Sequence, residues 1–465
     1  MRRATSVLSS LGAVGALCAI LAGFHGQATT TEHRAAVADA NGKPSAPSPS
    51  DDADANRKRL ALQTTGASAP VDVLLAALQR AARNDPGKGA RWTSLGRAWV
   101  RKARESTDPG FYLNARAAAD VALAIDPADV TALDLEGLVL LNDHRFEDAR
   151  ALAHRLVEEH PEDPAAYGTL SDAELELGQF DDAVRSAQQM IDLKPNLPSY
   201  SRASYLRWLA GDIEGAERSA RLAIDAGGDH RDPEPRAWAL VQAALVFLHE
   251  GDDRGAEAGF DRALEQMPDY PPALAGKGRI ALARDDGAAA ADFLARAYRA
   301  SPLVETAWLL GDARAMAGDA AGAREAYERV ERTGKQIDHR TLALFWATRN
   351  EHPAEALALS EGELSVRGDV LTQDAYAWAL YRNGRLDAAR AASDRAMALH
   401  TRDARIWYHA GAIRMAQGEA RAGRKLVEQA LRLEPRFDVT SAAEARGLLG
   451  SAPADGRQSR YRGGS

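Results

Sequence analysis

Cysteine is almost absent from this chain. Cys18 is the only one, and once the N-terminal segment that holds it is removed there is no disulfide, no thiol nucleophile and no cysteine metal site. Aromatic residues are scarce as well, at 6%, so a core has to be built mostly from alanine and leucine, which suits close-packed helices. Nor is there an excess of basic charge. With 58 Lys and Arg against 66 Asp and Glu, the net charge of −8 argues against nucleic acid as a partner, because a phosphate backbone needs a basic face. The sequence also lacks His-Glu-x-x-His, Gly-x-Ser-x-Gly, Gly-x-x-x-x-Gly-Lys and a calcium loop, the patterns that place ligands or nucleophiles together. His144, His154 and His160 lie close in sequence, but their spacings do not set three imidazoles on one helix face, so no metal site is expected there. We expect no catalytic residues, no cofactor and no enzymatic activity.

What the sequence has in plenty is one unit, repeated. Residues 374–399 hold Ala377, then Gly384, then Ala389 and Ala396 with apolar residues between at helical spacing, which predicts a helix, a tight turn and a second helix. Ala377 and Ala389 let the two helices cross closely, and Gly384 ends the first in a left-handed conformation. The alanine of the second helix recurs at 115, 149, 183, 216, 256, 290, 323, 356 and 389, with Gly423 in the tenth place. Prolines that close a unit fall at 86, 127, 161, 195, 268, 302 and 435. Two independent markers thus keep one period of about 34 residues. The acidic pairs Asp181-Asp182 and Asp285-Asp286 stand at the turn into a second helix, where they complement its dipole.

Period and pattern resemble the tetratricopeptide repeat, whose signature runs Trp-x-x-Leu-Gly-x-x-Tyr, then Ala, an aromatic and Pro. The first full unit carries Trp92, Leu95 and Gly96 with Trp99 in the tyrosine place, and the last carries Trp407, Gly411, Gly418, Ala430 and Pro435. The resemblance covers residues 71–449 and implies an all-α, right-handed superhelical solenoid of about ten helix-turn-helix units with capping helices. It also implies that the first helix of each unit lines a concave face. The groove-facing positions of the family, carried onto this sequence, hold Tyr205, Trp208, Trp238, Trp308, Phe345, Trp378, Tyr381 and Tyr408. Such residues suit an extended peptide or an apolar helix, and they suit equally the packing of one helix on the next. Asp134, Asp172 and Arg279 stand where some members clamp a terminal carboxylate with lysine and asparagine, which disfavours that mode.

Two breaks interrupt the period: about seven extra residues around 101–111 and six around 226–236. Insertions in such arrays are usually surface loops, and the second, with two prolines, is the better candidate for a contact. At the start, Arg2 and Arg3 precede an uncharged stretch over 7–24 and small residues at 26–28, the pattern of a secretory signal over 1–28. If it stays uncleaved, the same segment anchors the chain in a membrane. Residues 29–70 read as a disordered linker and 450–465 as a disordered tail. The closing units, with Ala375 to Tyr381 in the ninth, also resemble exported bacterial repeat proteins. The reading as a whole is a non-catalytic interaction or assembly scaffold for protein or peptide partners, periplasmic or extracellular. The alternative is an envelope receptor for a small or lipidic ligand, which would need an enclosed apolar pocket where the ends of the superhelix approach.

Overall fold

Each repeat is made by one backbone event, a left-handed residue that stops its first helix. In the computed structural model, which describes residues 49–66, 69–227 and 232–450, the left-handed position falls at Thr107, His144, Gly178, Gly211, Gly251, Asp285, Gly318, Asn350, Gly384 and Gly418. In eight of the ten units the next residue caps the second helix, the first and eighth having a longer turn, and in units four to seven it is an aspartate, Asp212, Asp252, Asp286 or Asp319, whose carboxylate accepts from an amide of the first turn. Twenty-three α-helices result, with no strand among the described residues. The chain is an all-α solenoid.

The first pair, α1 (Pro49–Ala61) and α2 (Pro70–Asn84), precedes the repeats. The units are α3 with α4 (Gly89–Ser106, Tyr112–Ile125), α5 with α6 (Val130–Asn142, Phe146–Glu159), α7 with α8 (Pro164–Glu176, Phe180–Leu193) and α9 with α10 (Leu197–Leu209, Ile213–Ala226). Next come α11 with α12 (Glu234–His249, Asp253–Gln266), α13 with α14 (Pro271–Ala283, Gly287–Ala300) and α15 with α16 (Val304–Met316, Ala320–Ile337). The last three are α17 with α18 (His339–Arg349, Pro353–Leu364), α19 with α20 (Val370–Arg382, Leu386–Ala396) and α21 with α22 (Ala404–Ala416, Ala420–Leu433), closed by α23 (Val439–Gly450). The marker alanines are buried, eight of the nine with no exposed surface. In the tenth unit a Cβ on Gly423 would lie 2.4 Å from the carbonyl oxygen of Gly411, so the helices approach too closely even for alanine there.

One boundary differs from the sequence reading. Residues 49–61 form a helix rather than part of a disordered linker, and its end is docked: the Trp99 indole donates to the Ala61 carbonyl at 2.8 Å and the Asn114 amide to that of Leu60 at 2.7 Å. The docking uses backbone carbonyls and a short apolar end, Leu60 to Leu62, which leave no apolar period in the sequence. The expected signal, residues 29–48 and the tail after 450 lie outside the described residues. No helix among the described residues is long and apolar enough to cross a membrane.

The solenoid winds so tightly that its turns touch. The last residues of the first helices leave carbonyls without intrahelical donors, and segments four to five units later supply them. The Gly368 amide donates to the Glu176 carbonyl at 2.8 Å, the Thr401 hydroxyl to that of Leu209 at 2.6 Å and the Arg436 guanidinium to that of Ala283 at 2.9 Å. Both period breaks belong to this seam. Arg101 and Arg104, in the first, pair with Asp232 and Glu234, at the end of the second, at 3.1 and 3.3 Å. The described residues of both insertions, the second of them the better candidate for a contact, thus join one turn of the superhelix to another.

The seam explains an asymmetry among the turn glycines. A Cβ on Gly178, Gly211 or Gly251 would meet a carbonyl oxygen of the later turn at 2.7, 2.9 or 2.4 Å, whereas on Gly384 or Gly418 it would meet nothing. Gly384→Ala should therefore lose only the left-handed backbone term, about 1 kcal/mol. Gly211→Ala should lose that and a further ~1–3 kcal/mol from overpacking. Urea denaturation of the two variants checks this, and equal losses would mean that the turns do not touch at Gly211.

Candidate functional site

Because the turns meet, the concave face becomes a set of chambers along the axis. The first is a polar chamber of about 140 Å³ walled by the first helices of units four to ten, with Trp208, His249, Arg279, Glu305, Trp308, Arg340, Asp403, Arg405 and Glu434 on its walls. The second, about 150 Å³, lies between the long turn of the first unit and the first helices of units five to seven, walled by Tyr112, Trp238, Val241, Leu245, Tyr270 and Leu303. The two share Leu245, Arg279 and Glu305. The third, about 230 Å³, sits in the seam beside Tyr205, Phe180, Val370 and Arg395.

The aromatic positions picked out in the sequence divide in two. Tyr205, Trp208, Trp238 and Trp308 wall chambers. Phe345, Trp378 and Tyr408 are buried in ring packing: Phe345 meets Trp308 edge-on at 5.4 Å, and Trp378 stacks on His409 at 4.0 Å and on half-buried Tyr381 at 4.7 Å. Tyr408 lies against Trp378 and Phe437 and donates to Glu444 at 2.7 Å. Seven of the eight are under 9% exposed, so even those on chamber walls offer an edge to a ligand and their faces to one another. Trp208 shows the pattern, with its ring between Tyr205 at 5.7 Å and His249 at 4.8 Å.

Of the charged groups in the polar chamber the sequence reading picks out Arg279 alone, because the others stand at helix ends and loops of units far apart. Arg279 pairs with Glu305, and Arg340 lies 3.7 Å from Asp369. Asp403 caps α21 by accepting from the amides of Arg405 and Ile406. Burial would raise its pKa, but Arg405, His249 and those amides hold it below the usual carboxylate range. Burial drives the His249 imidazole down to about 4, so the ring is neutral at pH 7. Burial next to Asp403 pushes Glu434 up to about 8. Two polar atoms of the walls are buried without a partner, the indole nitrogen of Trp208 and Nε of Arg405.

The other sites named from sequence are structural. Asp172 takes a bidentate pair from Arg202 at 2.8 and 2.6 Å, both buried. Asp134 is pushed up to about 8 by burial and the nearby Asp163. His144 stacks on Phe146 at 5.4 Å and bonds Arg367 across the seam, while His154 is exposed beside Glu158. No group of three or more acidic, histidine or cysteine side chains placed to hold a metal occurs among the described residues.

The raised carboxyls have a measurable consequence. Folded chains keep protons on Asp134 and Glu434 up to pH about 8, whereas unfolded carboxyls release theirs near pH 4. Unfolding between those values therefore releases protons, and stability falls as pH rises through the window. Glu257, held down to about 2 by Arg284 and Lys277, and Asp403 act oppositely, with a contribution lost only below the ordinary carboxylate range. His249, neutral in the folded chain, opposes the trend only from about 4 to its ordinary pKa near 6.5, so the several raised carboxyls prevail. Calorimetry should give a higher Tm at pH 5 than at pH 8, and Asp134→Asn should flatten the difference. A Tm that rises steadily from pH 5 to 8 would rule out protonated interior carboxyls.

Comparison with known proteins agrees with the geometry. Residues 135–198, from α5 to the start of α9, match a family model described as a tetratricopeptide repeat. Cellulose synthase operon protein C of Pseudomonas fluorescens (strain SBW25) is 30% identical over 204 residues, which is 41% of this chain; the chain covers 15% of that relative's length. Among solved structures, the type IV pilus biogenesis factor PilW is 16% identical with a TM-score of 0.37, over 43% of this chain and 90% of that one. A human IFIT1 dimer with PPP-AAAA is 15% identical with a TM-score of 0.45, over 82% and 94%.

Proposed function

We propose that this chain, a tetratricopeptide-repeat protein, is an exported scaffold that holds an extended segment of a protein partner along its axis, outside a bacterial membrane. The repeat fold points to a protein–protein interaction role, and repeats of this family are generally non-catalytic. The observation that carries the finer reading is the convergence of the first helices of units four to ten on one polar, aromatic-walled chamber. A preformed surface of this kind binds an extended chain without first ordering a loop, which lowers the entropic cost of association. Export rests on the arginine pair and uncharged stretch at the N-terminus and on the absence of cysteine after Cys18.

Crosslinked capture from the envelope fraction of the source organism tests this, with the full chain as bait beside Trp208→Ala, Trp308→Ala and Trp378→Ala, Tyr381→Ala pairs. Circular dichroism must show all three folded. A partner held by the parent, lost with the first pair and kept with the second supports the axial reading. No enriched protein, or equal recovery with every bait, refutes it.

An extended segment reaches the axis only when the turns part, so affinity is limited by the fraction of open chains. Arg367 is a clasp of the closed form: it is buried, pairs with Glu363 at 3.3 Å and Glu176 at 3.5 Å, and lies over the Phe146 ring. Its loss leaves two buried carboxylates without their cation, a cost of ~3–5 kcal/mol. Arg367→Ala should thus raise the radius of gyration in small-angle X-ray scattering and strengthen partner capture. An unchanged radius with unchanged capture would show that the seam does not gate the axis.

A further inference from the structure

The end of α1 is held in a way that none of the repeats requires. Four consecutive carbonyls, those of Leu60 to Gln63, each take a side-chain donor from α2, α3 or α4. The Asn114 amide donates to Leu60 at 2.7 Å, the Trp99 indole to Ala61 at 2.8 Å, Arg83 to Leu62 at 3.3 Å and the Gln79 amide to Gln63 at 2.7 Å. The Asn114 amide also reaches the Gln63 side chain at 3.1 Å. Gln79, Trp99 and Asn114 are buried. Buried polar groups need partners, and in an array built mostly from alanine and leucine these three find theirs on a segment that belongs to no unit. None of them walls an axial chamber.

The segment itself is lightly held. From Ala53 to Gln63 only Ala61 is buried, with no exposed surface, and Leu60 and Leu62 beside it are half-buried. Arg57 pairs with Asp120 at 3.7 Å, but the two side chains are 43 and 44% exposed, where such a pair adds little. A helix of 13 residues has little stability of its own, so α1 belongs with the segments that open locally. What the cleft reads is backbone and one methyl group. It takes the carbonyls that any helix leaves free at its carboxyl end, and it has a slot the size of alanine between two leucines.

We propose that α2, α3 and α4 form a receptor for the carboxyl-terminal end of a helix, a site that α1 fills in cis and that a helix of another protein takes over. The incoming helix carries alanine in its last turn with leucine on each side. The rest of its sequence matters little, since residues 55–57 and 59 of the present occupant are exposed. In the resting chain α1 acts as a built-in competitor. Six residues separate Gln63 from Pro70, so the cis segment is present at an effective concentration on the order of millimolar.

Fluorescence anisotropy with a labelled peptide of residues 49–66 tests the receptor on the full chain. Ala61→Arg leaves the chain's own segment unseated and should bind the peptide saturably, one to one. The parent should bind it roughly tenfold more weakly or worse, because its own segment competes. A peptide that itself carries Ala61→Arg should not saturate, whereas one with Arg59→Ala should bind as the original does. Asn114→Ala, added to the Ala61→Arg chain, should weaken the peptide roughly tenfold. Hydrogen exchange on the parent needs no substitution: amides of α1 should exchange about a hundredfold faster than those of α4. The proposal is overturned by absence of saturable binding to a folded Ala61→Arg chain, by equal affinity of that chain and the parent, by retained binding of the Ala61→Arg peptide, or by protection of α1 equal to that of α4.

Discussion

Everything in this solenoid depends on how closely two stretches of backbone approach where one turn of the superhelix meets the next. At Gly178, Gly211 and Gly251 a carbonyl oxygen of the later turn occupies the space a Cβ would take. Those same residues must also adopt the left-handed conformation that ends the first helix. Two unrelated demands fall on one position, and glycine meets both. The reward is that carbonyls left over at the helix ends find donors 153 to 194 residues away, as Ala283 finds Arg436 and Thr107 finds Ser301. A repeat array is ordinarily a one-dimensional object in which each unit feels its neighbours alone. Here the contact pattern has a second dimension, and units one to six each touch a later turn of the superhelix as well as their neighbours.

Closing the seam changes the electrostatics of the inside. A wide groove would leave Glu176, Asp312 and Glu434 hydrated, but in this structure burial raises all three above the ordinary carboxylate range. Arginine carries most of the compensation. Arg202, Arg367 and Arg104 are all nearly devoid of exposed surface and each faces an acid from another unit or another turn. Planar, always-charged guanidinium suits this role better than lysine, which sheds its proton when buried. Such pairs add little net stability compared with apolar contacts, but breaking one leaves a stranded charge, so they penalise any wrong register of turn upon turn.

How much of this the sequence contained can be judged residue by residue. Helix, turn and unit length were legible because Gly384 and Ala389 act locally, within one unit, and the same constraint recurs ten times. Gly423 could be placed in the tenth unit for the same reason, although the closeness of Gly411 that requires it could not. The superhelical radius is another matter, since no local spacing encodes it. The resemblance implied that Trp208 and Phe345 face inward, but what lies opposite each depends on how tightly the units wind, and Trp208 walls a chamber while Phe345 is buried in ring packing. The docked end of α1 was hidden because Trp99 and Asn114 recognise backbone carbonyls, to which side-chain identity is blind. The period breaks were visible as extra residues, while the charge match of Arg101 and Arg104 with Asp232 and Glu234 joins positions with no spacing relation.

A closed axis also fixes the sign with which ligands of different size act on one another. A small molecule that fits between the chambers touches walls from units as far apart as the first and the tenth, and those walls coincide only when the turns are together. It therefore favours the closed form. The extended segment proposed as partner needs the turns apart and favours the open one. Two ligands that prefer opposite states of one equilibrium oppose each other's binding, and by linkage the opposition is equal in both directions. No contact between them is required, nor any path of residues through the protein, because the coupling resides in the seam. Its size is bounded by the free energy that separates the two forms, to which Arg367, Glu176 and the turn glycines contribute, so the residues that hold the superhelix together are the ones that set how strongly an occupant of the axis regulates access to it.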